Sequence, residues 1–155
     1  MHNRDIRIRI DNKGFVLRVA ALIIENDKLL MVKHKDYPPL YTVGGGVEMG
    51  ETTSAAVIRE AYEETGYAYE IDRLLYIQER FFPFGGIQNH EVTFYYLMTA
   101  SQSGICEGKH TDHETESLHW VHLRDLPKTN VVPSFLKTAL QVIPETVQHI
   151  MTVDE

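Results

Sequence analysis

Cysteine is almost absent from this sequence, and so are the long apolar runs that membrane and secreted proteins carry. Cys106 is the single cysteine, so no intrachain disulfide can form, and we expect a small packing residue rather than a nucleophile. No apolar run approaches the length of about 18 residues that a membrane-spanning helix needs. The charged N-terminus lacks the apolar segment of a signal peptide. These absences favour a protein of the reducing cytoplasm, with no membrane partner.

Basic runs are missing as well. The net charge is -7, and no five consecutive residues are Lys or Arg. This balance argues against a nucleic-acid polymer as the main partner. It is compatible with a small phosphorylated ligand, because a metal ion can supply the positive charge. The length and the 43% apolar content predict one domain, residues 1–155, and no repeat or linker divides it.

What the sequence does contain is a glycine-rich stretch, expected to be a loop, that leads into an acidic helix. Residues 44–67 read GGGVEMGETTSAAVIREAYEETGY. Thr52 or Thr53 is a suitable N-cap, and Gly66 is a suitable C-terminal stop. One face of this helix is expected to be buried against a sheet, and it consists of Ala55, Ile58, Ala61, Tyr62 and Thr65.

Three glutamates share the opposite face of this helix. Glu60, Glu63 and Glu64 stand at i, i+3 and i+4, and we expect them to point outward. Each like-charge pair at this spacing costs about 0.2–0.5 kcal/mol, and a bound cation would reverse that sign. Hard divalent cations such as Mg²⁺ prefer oxygen ligands. Arg59 lies beside the acidic face, where it can pair with Glu51 or Glu63.

The spacing Gly45-x5-Glu51-x7-Arg59-Glu60-Ala61-x-Glu63-Glu64-x-Gly66-Tyr67 resembles the Nudix box, G-x5-E-x7-R-E-U-x-E-E-x-G-U, where U is bulky and apolar. All of the fixed letters match, whereas Ala61 and Tyr67 are less typical U residues. The resemblance implies an α/β fold, a Nudix-type α/β/α sandwich with a mixed, mainly antiparallel sheet.

The same resemblance implies a reaction. Water attacks a phosphorus of a nucleoside diphosphate linked to a group X, with Mg²⁺ as cofactor and Mn²⁺ as its substitute. The positions that match metal ligands are the backbone carbonyl of Gly44 and the carboxylates of Glu60, Glu63 and Glu64. Glu51 and Arg59 match positions that brace these ligands. The alternative is a non-catalytic, nucleotide-binding sensor, but such modules usually lack box glutamates. The family includes many homodimers, and the sequence leaves that state open.

The general base must accept a proton from the attacking water. In the family it is either a box glutamate or a residue of a loop before the last strand. The polar stretch 101–115 and the residue that follows it offer Glu114 and Glu116. We favour Glu114 from its distance before Trp120, with Glu116 and a box glutamate as the alternatives.

Aromatic residues are the candidates for substrate binding, since an aromatic face can stack on a nucleobase. They are Tyr41, Phe82 and Phe84, together with Tyr37, and packing in the sheet is the alternative role for each. Pro83, after the box, is a loose marker for ADP-ribose hydrolysis in the family. Oxidised nucleoside triphosphates, dinucleoside polyphosphates and nucleotide sugars stay open as substrates.

The remaining pattern predicts further elements. Alternating or continuous apolar residues predict strands at 6–10, 15–25, 28–34, 73–82, 91–100 and 117–122. Proline and glycine predict loops at 36–40 and 81–86. Residues 134–143 are expected to form an amphipathic helix, and Pro144 to precede another helical turn.

Overall fold

A long strand with apolar residues on both faces lies at the centre of the fold. The computed structural model describes residues 4–100 and 115–154. This strand spans Lys13–Glu25. Its residues Val19 and Ala21 pack into one core cluster, and Ala20 and Leu22 pack into the other. Successive side chains of a strand point to opposite faces, so a continuous apolar run serves two layers. Both faces of this strand are therefore buried.

The described residues form nine strands, two α-helices and one 3₁₀ helix, Leu123–Lys128. The strands are β1 (Arg7–Ile10), β2 (Lys13–Glu25), β3 (Lys28–His34), β4 (Tyr37–Gly46), β5 (Tyr69–Phe84), β6 (Ile87–Ala100), β7 (Glu116–His122), β8 (Val131–Val132) and β9 (Gln148–Val153). The α-helices are α1 (Thr53–Thr65) and α2 (Leu136–Ala139).

The strands form one mixed sheet in the order β7-β3-β4-β2-β6-β5-β9, with β1 added to β2 and β8 added to β4. The pairs β2–β6, β4–β8 and β5–β9 are parallel, and the other pairs are antiparallel. Helix α1 packs on one face, while α2 and the 3₁₀ helix pack on the other. The predicted α/β architecture with a mainly antiparallel sheet is therefore confirmed.

Strand β4 exchanges its partner midway. Tyr37, Tyr41 and Thr42 pair with β3, whereas Val43 to Gly46 pair with β2. The predicted loop at 36–40 is therefore wrong, since the strand begins at Tyr37. Its two prolines cannot donate ladder bonds, and the β3–β4 register is irregular at this point, between Val32 and His34. The expected glycine loop is likewise the paired end of a strand.

The helix α1 begins and ends as its sequence signals predict. The Thr52 hydroxyl accepts a hydrogen bond from the Ala55 amide at 3.1 Å, and Gly66 closes the helix with φ 75°. The predicted buried face is wrong in part, because Ile58 and Tyr62 are 43% and 59% exposed and Ala55 is exposed. The residues that do pack are Ala56, Val57, Ala61 and Thr65.

This rotation of α1 also changes the position of the acidic face. Because the helix buries Val57 and not Ile58, the side chains of Glu60 and Glu64 turn toward the sheet and are largely buried. Glu63 stays on the exposed side. The expectation that all three glutamates point outward is therefore wrong for two of them.

The strands after α1 are longer than predicted. Phe81 to Phe84 belong to β5, so the predicted loop shrinks to Gly85 and Gly86, with φ 60° and 76°. Glycine is favoured at both positions because side chains disfavour positive φ.

The C-terminal predictions are wrong in two places. The expected helix at 134–143 is helical only in α2, and Val142 is 81% exposed. After Pro144 the chain forms β9 rather than another helical turn, since Gln148–Val153 finds a parallel partner in β5. Within the described ranges, no helix combines the length and apolarity needed to cross a membrane.

Candidate functional site

The glutamates of α1 meet the glycine end of β4 at a cavity of about 430 Å³. We call it the carboxylate pocket. It is lined by Asp5, Arg7, Val16, Arg18, Tyr41, Gly44, Gly45, Gly46, Glu60, Glu63, Glu64 and Glu116. The structure therefore brings together all three predicted glutamate ligands, Gly44 and one of the two predicted loop carboxylates.

The glycines are what allow this approach. A Cβ at Gly45 would collide with the carboxyl group of Glu60, and a Cβ at Gly46 would collide with the carboxyl group of Asp5. A side chain at either position would have to displace the carboxyl group that now lies there. The functional role of the glycines is thus close contact rather than the flexibility of a loop.

Arg59 holds this arrangement together. Its Nε and Nη2 donate to the two carboxylate oxygens of Glu51 at 2.8 and 2.9 Å, a bidentate pair. Its Nη1 donates to Glu60 at 2.8 Å, and Nη2 also reaches the Gly46 carbonyl at 3.1 Å. The guanidinium keeps the pKa of Glu51 below its ordinary value. The predicted pairs with Glu51 and Glu63 both form, the latter at 3.4 Å.

Glu64 is the most unusual group in the pocket. Its Oε2 is buried, and no hydrogen-bond partner for it lies among the described residues. Burial raises the pKa of Glu64 well above its ordinary value, and the charges of Glu60 and Glu116 raise it further. A hydrogen bond from the Gly44 backbone offsets part of this effect. Burial also raises the pKa of Glu60, although Arg59 opposes the shift.

Glu116 enters the pocket from the start of β7. The Tyr41 hydroxyl donates to its Oε1 at 3.2 Å. Burial, followed by the charge of Glu116, raises the pKa of Tyr41, so the phenol stays a protonated donor. Glu114, which the sequence favours as general base, lies outside the described residues.

The donor set of the pocket fits a hard divalent cation. Apart from two arginines, which do not bind metals, its polar side chains offer oxygen atoms, among them the buried Oε2 of Glu64. Over residues 4–100 and 115–154, no three His, Cys, Asp or Glu side chains form a ready ligand cage. Mg²⁺ does not require such a cage, because it typically keeps several waters and binds through one or two carboxylates plus substrate phosphates.

A second cavity, of about 440 Å³, opens beside the carboxylate pocket on the α2 face of the sheet. We call it the tyrosine cavity. Its lining includes His34, Tyr37, Tyr41, Tyr95, Thr93, Arg80, Glu91, Arg18 and Pro133. Arg18 and Tyr41 line both cavities, so the two are adjacent. The predicted substrate residue Tyr41 therefore stands at their junction.

The other predicted substrate residues lie elsewhere. Phe82 and Phe84 line a third cavity of about 420 Å³, which we call the arginine groove. Its lining is Arg7, Ile8, Arg9, Gly14, Phe15, Val16, Arg18, Phe82, Phe84, Ile87, Asn89 and Glu91. Arg18 thus lines all three cavities.

Sequence reasoning missed Arg18 and Glu91. Arg18 Nε lies 3.9 Å from Glu91 Oε2. A signal for Arg18 was present, because it is a lone charge in the largely apolar run Phe15–Ile24. Glu91 gives no such signal, since it lies at the start of its predicted strand.

The burial of Glu64 predicts that its charge lowers the stability of the metal-free protein, as measured in the presence of EDTA. The raised pKa means that the folded state binds more protons than the unfolded state between the two pKa values, so stability falls as pH rises through that window. Near pH 7.5, Glu64→Gln should therefore stabilise the metal-free protein, by about 1 kcal/mol, which is about 2–4 °C in Tm. Thermal unfolding in EDTA measures this.

The matched control is Glu63→Gln, which removes the same charge from the exposed side of α1 and should leave Tm nearly unchanged. A lower Tm for Glu64→Gln than for wild type in EDTA would contradict the electrostatic cost assigned to Glu64.

Comparison with known proteins agrees with this architecture. The model of the NUDIX domain matches residues 14–140. The chain is 34% identical over 96 residues to a human diphosphoinositol polyphosphate phosphohydrolase, NUDT4B, a match that covers 59% of this chain and 50% of that protein. It is 32% identical over 108 residues to a Bacillus subtilis (strain 168) protein with the provisional name 8-oxo-dGTP diphosphatase, covering 70% and 66% of the two chains.

A solved structure shows the same fold. The crystal structure of a MutT protein from Bacillus halodurans superposes with a TM-score of 0.63 at 16% identity, covering 89% of this chain and 90% of that one. The chain spans half the length of the human relative that it matches. The domain match extends over most of the chain, and the protein therefore belongs to the NUDIX domain family.

Proposed function

We propose that this protein is a Mg²⁺-dependent pyrophosphohydrolase that cleaves a phosphoanhydride of a nucleoside diphosphate linked to another group X. The proposal rests on one observation: the α1 carboxylates, the glycine strand and two arginines line the same pocket. One of these carboxylates has a buried oxygen with no partner among the described residues. The names of the relatives, a phosphohydrolase and a diphosphatase, support the reaction class. Membership of the family supports a divalent metal ion.

The proposed metal ligands are Glu60, Glu63, Glu64 and the backbone carbonyl of Gly44. Bound there, Mg²⁺ would neutralise diphosphate oxygens and lower the pKa of the attacking water. Arg59 is a positioning residue, because it fixes Glu60 through a 2.8 Å hydrogen bond while Glu51 holds its other side. The alternative metal Mn²⁺ fits the same oxygen donors.

Substrate phosphates need positive charge as well as a metal. Arg7 and Arg18 line the carboxylate pocket, and neither belongs to the Glu51–Arg59 network. Guanidinium groups suit phosphate oxygens because they donate two parallel hydrogen bonds. We assign to Arg7 and Arg18 the binding of the diphosphate next to the metal.

The nucleoside is assigned to the tyrosine cavity. Its volume, about 440 Å³, is in the range of small-molecule sites. Tyr37 and Tyr41 line the cavity and contact each other edge to face, with centroids 6.1 Å apart, so a base can stack on the face of one ring. Its polar lining, Glu91 and Thr93, supplies hydrogen-bond partners for the base.

In the hydrolysis, the water oxygen forms a bond to phosphorus and the P–O bond of the anhydride breaks, so the leaving phosphate takes the electron pair. The water proton passes to a general base. Glu116 is the loop-side carboxylate that lines the pocket, and Tyr41 orients it. We therefore propose Glu116 for this role, and Glu114 is the competing candidate.

Glu63→Gln should reduce kcat at saturating Mg²⁺ by at least about 100-fold, because it removes a ligand charge without disturbing the buried side of α1. Phosphate release is measured on ADP-ribose, a dinucleoside polyphosphate, nucleotide sugars, and plain and oxidised nucleoside triphosphates. The matched control is Glu145→Gln, an exposed glutamate outside the three cavities, which should retain full turnover.

Two outcomes would contradict the proposal. Unchanged turnover in Glu63→Gln would contradict the assignment of Glu63 as a metal ligand. Absence of turnover by the wild type on every compound, with a nucleotide still bound, would show a binding module in place of an enzyme.

Glu116→Gln should lower kcat by about 100-fold or more with little effect on KM, which is the range for loss of a general base. Glu114→Gln, with the same change two residues earlier, is the comparison and should be active. Loss of turnover in Glu114→Gln alone would return the role to Glu114, and full activity of both variants would move it to a box glutamate.

A further inference from the structure

The arginine groove lies on the same face of the sheet as the tyrosine cavity, on the other side of Arg18. Strand register explains its composition. Arg7 pairs with Val16 and Arg9 with Gly14, and in the next strands Asn89 lies between Gly14 and Phe82. Side chains at these paired positions share one face. The groove is therefore a row across four strands that begins with arginine and ends with phenylalanine.

The arginines of this row are available to a ligand. Arg7 and Arg9 are exposed on the short strand β1. In the part of the chain that the structure describes, no carboxylate lies within 4 Å of either guanidinium. Arg7 also lines the carboxylate pocket. Two cations thus continue from the phosphate site into the groove, in a chain whose net charge is -7.

The far side of the groove offers flat apolar surface. Phe84 is 72% exposed. The ring of Phe82 is held by the guanidinium of Arg80, 4.2 Å from its centroid. Arg80 is in turn fixed by Asp154 at 2.7 Å. Arg9 Nε donates one long hydrogen bond, of 3.5 Å, to the Asp11 carbonyl, and its guanidinium is otherwise exposed. Aromatic faces beside exposed guanidinium groups match a ligand that has both a ring and a phosphate.

Between the two ends, Gly14 and Asn89 form an open polar position in a groove that is otherwise lined largely by apolar side chains. Gly14 has no side chain, and a Cβ placed there would lie 3.3 Å from Asn89 Oδ1. Asn89 Nδ2 donates to the Ile87 carbonyl at 3.1 Å, which orients its Oδ1 beside Gly14. That oxygen can accept a hydrogen bond from the amino group of a base or from a ribose hydroxyl.

We propose that the arginine groove is a second substrate subsite that binds a second nucleotide, so that the substrate is a dinucleoside polyphosphate. One nucleoside occupies the tyrosine cavity, the attacked phosphate lies at the carboxylate pocket, and the remaining phosphate and base lie on Arg9 and Phe84. This rests on the proposed hydrolase function and specifies the group X.

Other forms of X fit the groove less well. The terminal phosphate of a nucleoside triphosphate would leave the rings of Phe82 and Phe84 without a contact. A sugar presents hydroxyl groups that can bond to Asn89 and Glu91, but it has no aromatic ring to stack on Phe84. A polyphosphorylated ring without aromatic character would gain nothing from the phenylalanines.

The test compares paired substrates. The value of kcat/KM is measured for diadenosine tetraphosphate and ATP, and for diguanosine tetraphosphate and GTP, in wild type and Arg9→Gln. Arg9→Gln should lower the ratio of kcat/KM for the dinucleoside tetraphosphate to kcat/KM for the matching nucleoside triphosphate by about 10-fold. This is the loss expected for one charge-assisted hydrogen bond. Phe84→Ala should change the ratio in the same direction. Both residues are exposed, so the fold should be retained.

The matched control is Arg124→Gln, an exposed arginine that lines none of the three cavities, and it should leave the ratio unchanged. An Arg9→Gln ratio equal to that of the wild type, or an equal loss on both substrates, would overturn the subsite.

A second readout separates this proposal from the proposed function. If the wild type hydrolyses none of these compounds, Kd for diadenosine tetraphosphate is measured by calorimetry. A Kd about 10-fold higher in Arg9→Gln than in wild type would support the subsite while contradicting the hydrolase. An unchanged Kd would overturn the subsite as well.

Discussion

The carboxyl group of Glu60 occupies the space that a side chain at Gly45 would need, and the rest of the site depends on this contact. It lets α1 lie against the end of β4, so that Arg59 can reach both the Gly46 carbonyl and Glu51. Glu64, one turn further along α1, is buried in the same pocket. A close approach of backbone and helix is therefore what converts an acidic helix face into an enclosed cluster of oxygen atoms.

That cluster opposes folding. Burying carboxylates that repel one another is unfavourable unless a counter-charge accompanies them. Arg59 compensates Glu51 and Glu60, but Glu64 Oε2 has no partner within residues 4–100 and 115–154. Unfavourable local electrostatics of this kind are characteristic of functional sites, where they are supported by the surrounding fold. Here the support is the two-sided core around β2.

The sequence predicts those parts of the structure that depend on local signals. The ends of α1 follow from Thr52 and Gly66, and the box spacing identifies the glutamates and the family. Long-range pairing decides what the sequence misses: β9 exists because β5 offers it an edge, and the strand at Tyr37 exists because β3 does. The role of Arg18 is hidden for the same reason, since three cavities converge on it only in the folded sheet.

The central claim is that the contact between Gly45 and α1 builds a site for a divalent cation. Titration calorimetry of Mg²⁺ into wild type and Gly45→Ala tests it most directly, with circular dichroism to verify that the variant is folded. The account predicts saturable binding to the wild type and at least about 10-fold weaker binding to folded Gly45→Ala, a difference of about 1.4 kcal/mol. Equal affinity of the two proteins, or no binding to the wild type, would contradict it.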